Sequence, residues 1–312
     1  MSERSHASVA LLYHRVAESG RDPFGLAVSP AHFDEQMAVV AGLGGVLGFE
    51  DFAGRAGRRT LAPGSLTVTF DDGYADNADH GLPALERHGV PASVFILTGA
   101  TGSDRPLWWD ELAALIDPAA EGEAHSRAVI ERWRALRRLP PAEIVARIDA
   151  IRAEAGRDPA DADDARVMTA AELAALDAHP LVTLGAHTVR HPSLGAQPYA
   201  DQVEEIRASR AALAAVVGRE VTSFAYPFGR RRVDVTRATM RAAREAGVGT
   251  AATVEDREIR GGCDPLAVPR WMVPDVDGAT FERMLHERLS GATPVRRVRR
   301  ELRRALLDVI ER

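Results

Sequence analysis

"SLTVTFDDGYADN", residues 65–77, passes from an apolar, β-branched segment directly into two adjacent carboxylates and a glycine. The first part is typical of a β-strand, and Asp-Gly is common turn chemistry. Asp71 and Asp72 should repel each other where this strand ends. The pattern therefore indicates either an ordinary turn or a site that needs both carboxylates.

Six further strand-like segments alternate with helical ones along the chain. This alternation predicts parallel β-α units, in either an open doubly wound sheet or a closed barrel. About seven strands in one repeating order favour the barrel, in which chemistry lies where strands end. The seven segments are 8–14, 65–70, 92–99, 181–187, 221–227, 247–254 and 266–273.

Residues 104–167 interrupt this alternation. They carry helical periodicity and many charges, and they predict a helical insertion. Thr169 and Glu172, which follow, have the spacing of a capping box at the start of a short helix. The glycine-rich residues 42–48 lack the features of a phosphate loop, so we expect a helix exit there.

Composition narrows the functional classes. The formal net charge of −6 argues against a general nucleic-acid binder, although all 39 basic residues are arginine. A single cysteine, Cys263, excludes an internal disulfide and a multi-cysteine metal site. The first residues have too short an apolar run for a signal peptide, and no run reaches the roughly 18 residues of a membrane span. A cytoplasmic protein is predicted.

His187 and His191 follow another strand-like segment in "GAHTVRHPSL", residues 185–194. Two histidines four residues apart can share one face of a helical turn, and imidazole is a common ligand of zinc. Paired surface histidines are the alternative. In a barrel these histidines would meet Asp71 and Asp72 at one face, and a metal would relieve the repulsion between the carboxylates.

Three segments together, "TFDDGYADN", "HTVRHPSL" and "FAYPFG" (224–229), resemble the first three motifs of the polysaccharide deacetylase family. These carbohydrate esterases share the homology domain of the nodulation chitooligosaccharide deacetylases, and the third motif resembles one branch of them. The resemblance runs from "LLYHRV" to "VPRWMVP". It implies a distorted (β/α)7-type barrel, a divalent metal and hydrolysis of an N-acetyl group on an amino sugar.

The resemblance also implies residue roles. Asp72, His187 and His191 would hold the metal, and Asp71 would be the general base that activates water. Zn²⁺ is preferred, although this ligand set also suits Co²⁺, Mn²⁺ or Ni²⁺. The loop of Tyr226, Pro227 and Phe228 would supply an oxyanion-binding N–H from Phe228, and a plain turn with aromatic core side chains is the alternative.

Two motifs depart from the family. Ala225 stands where many members have an arginine that orients the base, and we expect Arg270 in "VPRWMVP" to replace it, with an ordinary salt bridge as the alternative. His14, after the first strand, is a candidate acid or partner of the base. Met284 replaces the leucine of the final Leu-x-His motif, so His286 is predicted to be structural.

Substrate contacts are less specific in the sequence. Trp108 and Trp109 are candidates for stacking on a sugar, although packing in the core is favoured. Arg230, followed by Arg231 and Arg232, is a candidate for binding phosphate of a nucleotide-linked or lipid-linked sugar, or a solvated loop. Residues 291–312 are predicted to form an amphipathic, Arg-rich helix beyond a single barrel domain, 1–290. Docking on the barrel, a subunit contact and a peripheral membrane contact are its candidate roles, in that order.

The predicted function is metal-dependent removal of an N-acetyl group from an amino sugar, in a glycan, a glycolipid, a nucleotide- or lipid-linked sugar or an aminosugar metabolite. The predicted partner is therefore a small molecule or glycan that contains an amino sugar, and no oligomeric state is predicted. The alternatives are an amidohydrolase or deformylase acting on a non-sugar amide, and a non-catalytic binding protein on the same barrel.

Overall fold

A computed structural model of the protein describes residues 7–18, 22–116, 122–156 and 165–290. Seven parallel strands form a closed barrel, in which each barrel strand pairs with the next one along the chain and the last pairs with the first. The predicted α/β barrel is confirmed. The barrel strands are β1 (Val9–Tyr13), β4 (Leu66–Phe70), β5 (Ala92–Ile96), β6 (Val182–Ala186), β7 (Ser223–Ala225), β8 (Thr250–Val254) and β9 (Val268–Met272). A separate two-stranded sheet joins β2 (Arg15–Val16) to β3 (Ala27–Val28).

The strand sequences explain the closed barrel. Every residue of β1, β4 and β5 is buried, because one face of each strand lines the barrel interior and the other is covered by helices. The register is continuous from Val9 paired with Leu66 to Tyr13 paired with Phe70. The carboxyl ends of β1 and β4 therefore lie side by side at one end of the barrel.

Helices surround the barrel. Their bounds are α1 (Pro30–Leu43), α2 (Phe49–Arg58), α3 (Leu82–His88), α4 (Trp108–Leu115), α5 (Gly122–Leu136), α6 (Pro141–Ala155), α7 (Ala170–Asp177), α8 (Tyr199–Val217), α9 (Arg237–Glu245) and α10 (Gly278–Ser290). A π-helical turn, Asn77–Gly81, leads into α3. No helix within the described ranges is long and apolar enough to cross a membrane.

The start of α7 has the predicted capping box. The Thr169 hydroxyl accepts a hydrogen bond from the Glu172 N–H, and the Glu172 carboxylate accepts one from the Thr169 N–H. Helix α2 was not predicted from the sequence, because Gly54 and Gly57 lower its helical propensity. Burial of its apolar face, which includes Phe52, stabilises that helix instead.

Three helices, α4, α5 and α6, lie between β5 and β6, in the segment predicted to be an insertion. They share a hydrophobic cluster of their own, which includes Leu112, Val129, Ile144 and Ile148. The predicted amphipathic helix, 291–312, lies outside the described residues, and the division into a 1–290 domain and a tail remains a prediction.

Candidate active site

The predicted site residues meet at the carboxyl end of the barrel. Asp71 and Asp72 directly follow β4, His187 follows β6, and His14 follows β1. Arg270 lies within β9, the strand that closes the barrel against β1. In a parallel barrel, the residues that follow the carboxyl ends of the strands lie at the same face. Residues far apart in the sequence therefore form one cluster.

The loops at this face have a strained backbone. Six non-glycine residues in the described ranges have a positive φ, and four of them belong to the site: Asp72 (74°), Thr188 (66°), His191 (56°) and Phe228 (59°). Such conformations cost on the order of 1 kcal/mol each and persist where the surroundings impose them. Asp72 is one of these residues. Burial alone would lower the pKa of His187, but Asp71 and Asp72 both raise it, so the two consecutive carboxylates lie near the same imidazole.

His187 and His191 do not share a helical turn, so that expectation was wrong. Residues 187–193 form an irregular loop. The carboxylate of Glu205, on α8, accepts hydrogen bonds from the N–H groups of Val189 and Arg190, each at 3.0 Å. Gly99 packs directly under the loop, where a Cβ would lie 2.2 Å from the Val189 carbonyl oxygen. A buried acid and a close backbone contact therefore fix the histidine loop.

Asp72, His187 and His191 form a compact triad. The Nε2 atoms of the histidines lie 3.2 Å apart, and they lie 3.4 and 3.5 Å from the Asp72 Oδ1 atom. That oxygen is buried without a hydrogen bond in the described part of the chain. The Nδ1–H of His187 donates to the Ala225 carbonyl at 2.8 Å, which leaves its Nε2 lone pair free. These residues fit a divalent metal.

Burial and neighbouring charges set the protonation states. Burial lowers the pKa of His191 to about 3, despite the opposing effect of Asp72, so its imidazole is neutral near pH 7. Burial alone would raise the pKa of Asp71, but the Arg270 and His187 charges lower it to about 2. The triad therefore offers a neutral ligand ring, and Asp71 is ionised.

Arg270 holds Asp71 with both nitrogens of its fork. Nη1 and Nη2 donate to the two carboxylate oxygens, each at 2.7 Å. The guanidinium is fully buried, and it also donates to the Thr253 carbonyl and the Thr69 hydroxyl, each at 3.2 Å. Asp71 and Arg270 therefore form a buried, bidentate pair.

His14 is half-buried beside the two carboxylates. Its Nδ1 has no hydrogen-bond partner within the described ranges. Burial lowers the pKa of His14, while the charges of Asp72 and Asp71 raise it. The ring is therefore close to both carboxylates and keeps one nitrogen uncommitted.

The Tyr226–Phe228 loop covers one side of the triad. Tyr226 and Pro227 are buried, and the Tyr226 hydroxyl donates to the Leu266 carbonyl at 3.1 Å, so the tyrosine side chain belongs to the core. The Phe228 ring lies 4.7 Å from the His191 ring. Its N–H makes no hydrogen bond to the described residues.

The tryptophans divide between packing and the rim. Trp109 is buried, its ring centroid lies 4.4 Å from that of His191, and its Nε1–H donates to the Tyr74 hydroxyl at 2.8 Å. Trp109 therefore packs against His191, a candidate metal ligand, and this contact agrees with the favoured packing role. Trp108 is half-buried and packs edge-on against Trp109.

The remaining candidates lie at the edge of the site or away from it. Arg230 is half-buried at the end of the Tyr226–Phe228 loop, whereas Arg231 and Arg232 are exposed. His286 is exposed on α10 and pairs with Glu282 at 3.7 Å. It is therefore neither at the site nor in the core.

The residues that support the loops were not predicted from the sequence. Glu205 had a detectable signal, because it lies on the buried face of α8 with Gln202, Ile206 and Ser209, where an acid is unexpected. Asp234, fully buried, accepts a 2.6 Å hydrogen bond from Ser193 and had no such signal, since it lies in an irregular loop.

Comparisons with known proteins agree with this geometry. A family model described as polysaccharide deacetylase matches residues 58–251, more than half of the chain. The Bacillus subtilis protein YxkH, named after the same family, is 28% identical over 61 residues, which cover 20% of this chain and 22% of YxkH. This match spans only about a fifth of that relative.

Among solved structures, IcaB from Ammonifex degensii superposes with a TM-score of 0.60 at 20% identity, over 90% of this chain and 97% of IcaB. The Streptococcus pyogenes deacetylase PplD, in complex with acetate, gives 0.57 at 16% identity, over 89% and 98%. At these identities the likeness shows the fold. From the family match over residues 58–251, the chain belongs to the polysaccharide deacetylase family, a family of hydrolases.

Proposed function

We propose that the protein is a divalent-metal-dependent deacetylase that removes the N-acetyl group of an amino sugar. One observation carries this proposal: the buried Asp71–Arg270 pair adjoins the triad of Asp72, His187 and His191. A turn with two acids needs neither a buried guanidinium nor two converging imidazoles. A metal-dependent hydrolase has a use for both, because it must hold a cation and accept a proton at neighbouring atoms.

When bound by the triad, a divalent metal would act as a Lewis acid on the amide carbonyl and would make water more acidic. Asp71 accepts the proton of the attacking water. Its pKa of about 2 keeps the carboxylate ionised near neutral pH, which is the form that can accept a proton. Arg270 fixes the orientation of the Asp71 carboxylate through two parallel hydrogen bonds.

The developing oxyanion needs a hydrogen-bond donor. The Phe228 N–H fulfils this role in our proposal, since its positive φ turns the peptide and no described acceptor occupies it. The Phe228 ring, packed on His191, keeps the loop close to the triad. The proposed donor is therefore a backbone group, the Phe228 N–H, and its position does not depend on the chemistry of the Phe228 side chain.

The leaving amine needs a proton, and we assign His14 to relay to it the proton that Asp71 takes from water, because the lowered pKa of His14 leaves its ring neutral beforehand. The ring stands beside Asp71 and Asp72, and its Nδ1 is uncommitted. Trp108 and Arg230 would contact the sugar or its substituent at the rim. Trp109 contributes by packing against His191.

The acetate bound to PplD is consistent with release of acetate by this fold, and it motivates acetate as the product to measure here. Zinc as the metal, an amino-sugar glycan or conjugate as the partner, and a cytoplasmic location remain our predictions. Metal analysis of the purified protein and fractionation of expressing cells test the first and the last.

The central experiment compares wild type with Asp71→Asn, which keeps the size of the side chain but is no proton acceptor. Both proteins are assayed for metal content and for acetate release from N-acetylglucosamine oligomers, nucleotide-linked sugars and lipid-linked sugars. We expect one metal per chain in both proteins. We expect the variant to lose turnover by about 10²–10⁴-fold, the usual contribution of a general base.

Asp79→Asn is the matched control, because Asp79 is an exposed acid shortly after the same strand. It should keep full turnover. Acetate release that Asp71→Asn leaves intact would contradict the role of Asp71. A protein that binds metal but releases acetate from none of these sugars would point instead to a non-sugar amide or formyl substrate, or to a binding protein.

A further inference from the structure

The arginine at the end of α5 contacts the loop over the triad. Arg137 is only 8% exposed. Its guanidinium carbon lies 5.0 Å from the ring centroid of Trp133 and 5.0 Å from that of Phe228. The Phe228 ring in turn lies 4.7 Å from the His191 ring. Arg137 is therefore two aromatic contacts away from a metal-ligand candidate, although it belongs to the inserted helices.

This guanidinium is poorly paired for a buried charge. Only Nη1 approaches an acceptor, at 3.4 and 3.5 Å from the two oxygens of Asp234. Its Nε and Nη2 groups donate to no atom within the described ranges. Asp234 is already shared, because it accepts a 2.6 Å hydrogen bond from the Ser193 hydroxyl and a 3.3 Å one from the Arg230 N–H. A buried cation with free donors favours an anionic ligand.

A second cation lies beside it. Arg230 is half-buried, and its side chain makes no hydrogen bond or ion pair with the described residues. Burial lowers the pKa of Arg137, and the charge of Arg230 lowers it further, while Asp234 opposes both. Arg137 therefore shares the single carboxylate of Asp234 with the Ser193 hydroxyl and the Arg230 N–H, while the Arg230 guanidinium has no described acceptor.

We propose that Arg137 and Arg230 form a subsite for a phosphate group on the amino-sugar substrate. This inference rests on the proposed function and deepens it, by assigning the substrate to phosphate-linked N-acetyl amino sugars. A guanidinium fork binds two phosphate oxygens at once, and stacking on Trp133 and Phe228 holds the Arg137 fork in place. The Arg137 guanidinium carbon lies 5.0 Å from the Phe228 ring, and that ring lies 4.7 Å from the His191 ring, so a charged substituent need only extend past Phe228 to meet Arg137. An anomeric phosphate would then reach Arg137 while the N-acetyl group of the same sugar lies at the triad.

The same contacts also admit a purely structural role for Arg137, in which its cation–π contacts and Asp234 simply hold the Phe228 loop. The two roles differ in ligand dependence. A structural arginine would affect neutral and phosphorylated sugars alike, because both need the same loop. A phosphate subsite would affect only the phosphorylated sugar.

Isothermal titration calorimetry with N-acetylglucosamine and N-acetylglucosamine 1-phosphate separates these roles. We expect wild type to bind the phosphate about 10-fold or more tighter than the neutral sugar, the range of a charge-assisted contact. Arg137→Met should reduce that ratio to within about twofold of unity. Arg138→Met, which removes the same charge from the exposed neighbouring residue, should retain the ratio.

Arg230→Gln is the second variant, and it should lower the ratio even if Arg137→Met fails to fold. Arg137→Lys, which keeps the charge without the fork, should restore part of it. Equal binding of the two sugars by wild type would overturn the inference. So would a ratio that survives in both Arg137→Met and Arg230→Gln.

Acetate release from nucleotide-linked and lipid-linked sugars then identifies the source of the phosphate. Release from neutral oligomers with no preference for phosphate would refute the subsite and leave the proposed function intact. An Arg137-dependent preference in binding, with no acetate released from any sugar, would support the subsite and refute the deacetylase proposal. The two failures are therefore distinguishable.

Discussion

Two pairs of adjacent acids in the molecule have backbones that direct the two carboxylates differently. Asp71 and Asp72 follow a strand, Asp72 has a positive φ, and both carboxylates lie near the His187 ring, where they offset the effect of burial and raise its pKa. Asp110 and Glu111 lie on α4, where consecutive residues point about 100° apart. Asp71 and Asp72, the loop pair, therefore belong to one site. Asp110 and Glu111, the helical pair, contact different sets of residues.

The partners of the helical pair show this separation. The Asp110 carboxylate accepts a hydrogen bond from the Tyr74 hydroxyl at 2.7 Å, on the side of the site. Glu111, fully buried, accepts from Arg105 at 2.6 Å and from Arg152 at 2.8 Å, and so joins α4 to α6. Both Glu111 oxygens are satisfied by cations, which is the pattern of a structural ion pair.

The site pair is left incomplete by comparison. Asp71 is fully paired with Arg270, but the Asp72 Oδ1 atom and the His14 Nδ1 atom have no partner in the described segments. Buried polar atoms without partners are rare and costly. The fully paired carboxylate of Glu111 therefore indicates a structural role for α4. The unpaired atoms of Asp72 and His14 indicate that a ligand binds at the end of β4.

The largest effect should follow loss of the charge on Asp72. Asp72→Asn should weaken Zn²⁺ binding by more than about 100-fold, beyond the usual effect of residues that only orient the ligands. Asp110→Asn, an equal change in the other pair, should alter it by less than about threefold. Competition with a chromogenic chelator measures both values. Equal losses in the two variants would refute the contrast between the pairs.

Glu111→Gln should cause the next largest effect, on stability. We expect the free energy of unfolding to fall by about 3 kcal/mol, at the low end for a broken buried ion pair, because both arginines are partly exposed and can be hydrated. Urea unfolding followed by circular dichroism measures it. Glu143→Gln, which breaks the exposed pair with Arg147 on α6, is the control and should cost less than about 0.5 kcal/mol.

Asp110 should make stability depend on pH. Burial raises its pKa from 3.8 to about 7, so the folded state binds the proton more tightly than the unfolded chain does. The resulting stabilisation is complete below about pH 4 and is lost as the pH rises through about 7. Between pH 5 and pH 9, wild type should lose about 2–3 kcal/mol more than Asp110→Asn, measured by urea unfolding. Parallel curves for the two proteins would contradict the raised pKa.

The smallest effect should come from a partly exposed acid, Glu172. Hydrogen bonds from Arg166 and from the Thr169 N–H lower its pKa to about 2. Its stabilisation is present above about pH 4.5 and is lost as the pH falls through 2. Glu172→Gln keeps the capping geometry, so thermal unfolding at pH 7 should show a loss of only about 0.5 kcal/mol. A loss that persists undiminished at pH 2 would contradict the role of the charge.

Local chemistry was enough to predict the barrel and the residues at its carboxyl face. Strand periodicity located β4 and β6, and parallel topology brings Asp71 and His187 to one end. Arg270 was predicted as a partner of Asp71 from the resemblance to the family, as a replacement for the arginine missing at position 225, and in the structure it contacts Asp71 bidentately at 2.7 Å.

Other features depend on contacts distant in sequence. The histidine loop has no helical turn, because Glu205 and Gly99 determine its path and neither adjoins it in sequence. The glycines of α2 hid a helix that is stabilised by tertiary burial. Arg137 reaches Phe228 only after the inserted helices fold against the barrel.

The pairing of Asp71 with Arg270 also has a consequence for synthesis of the chain. The two residues are 199 positions apart, and Arg270 lies on the last strand of the barrel. At about 5–20 residues per second, a ribosome makes Asp71 roughly 10–40 s before its cation. During that interval two neighbouring carboxylates have no guanidinium to offset their repulsion. The Asp71–Arg270 pair can therefore form only after β9 has been made. A nascent chain that lacks β9 has Asp71 without the arginine that orients it.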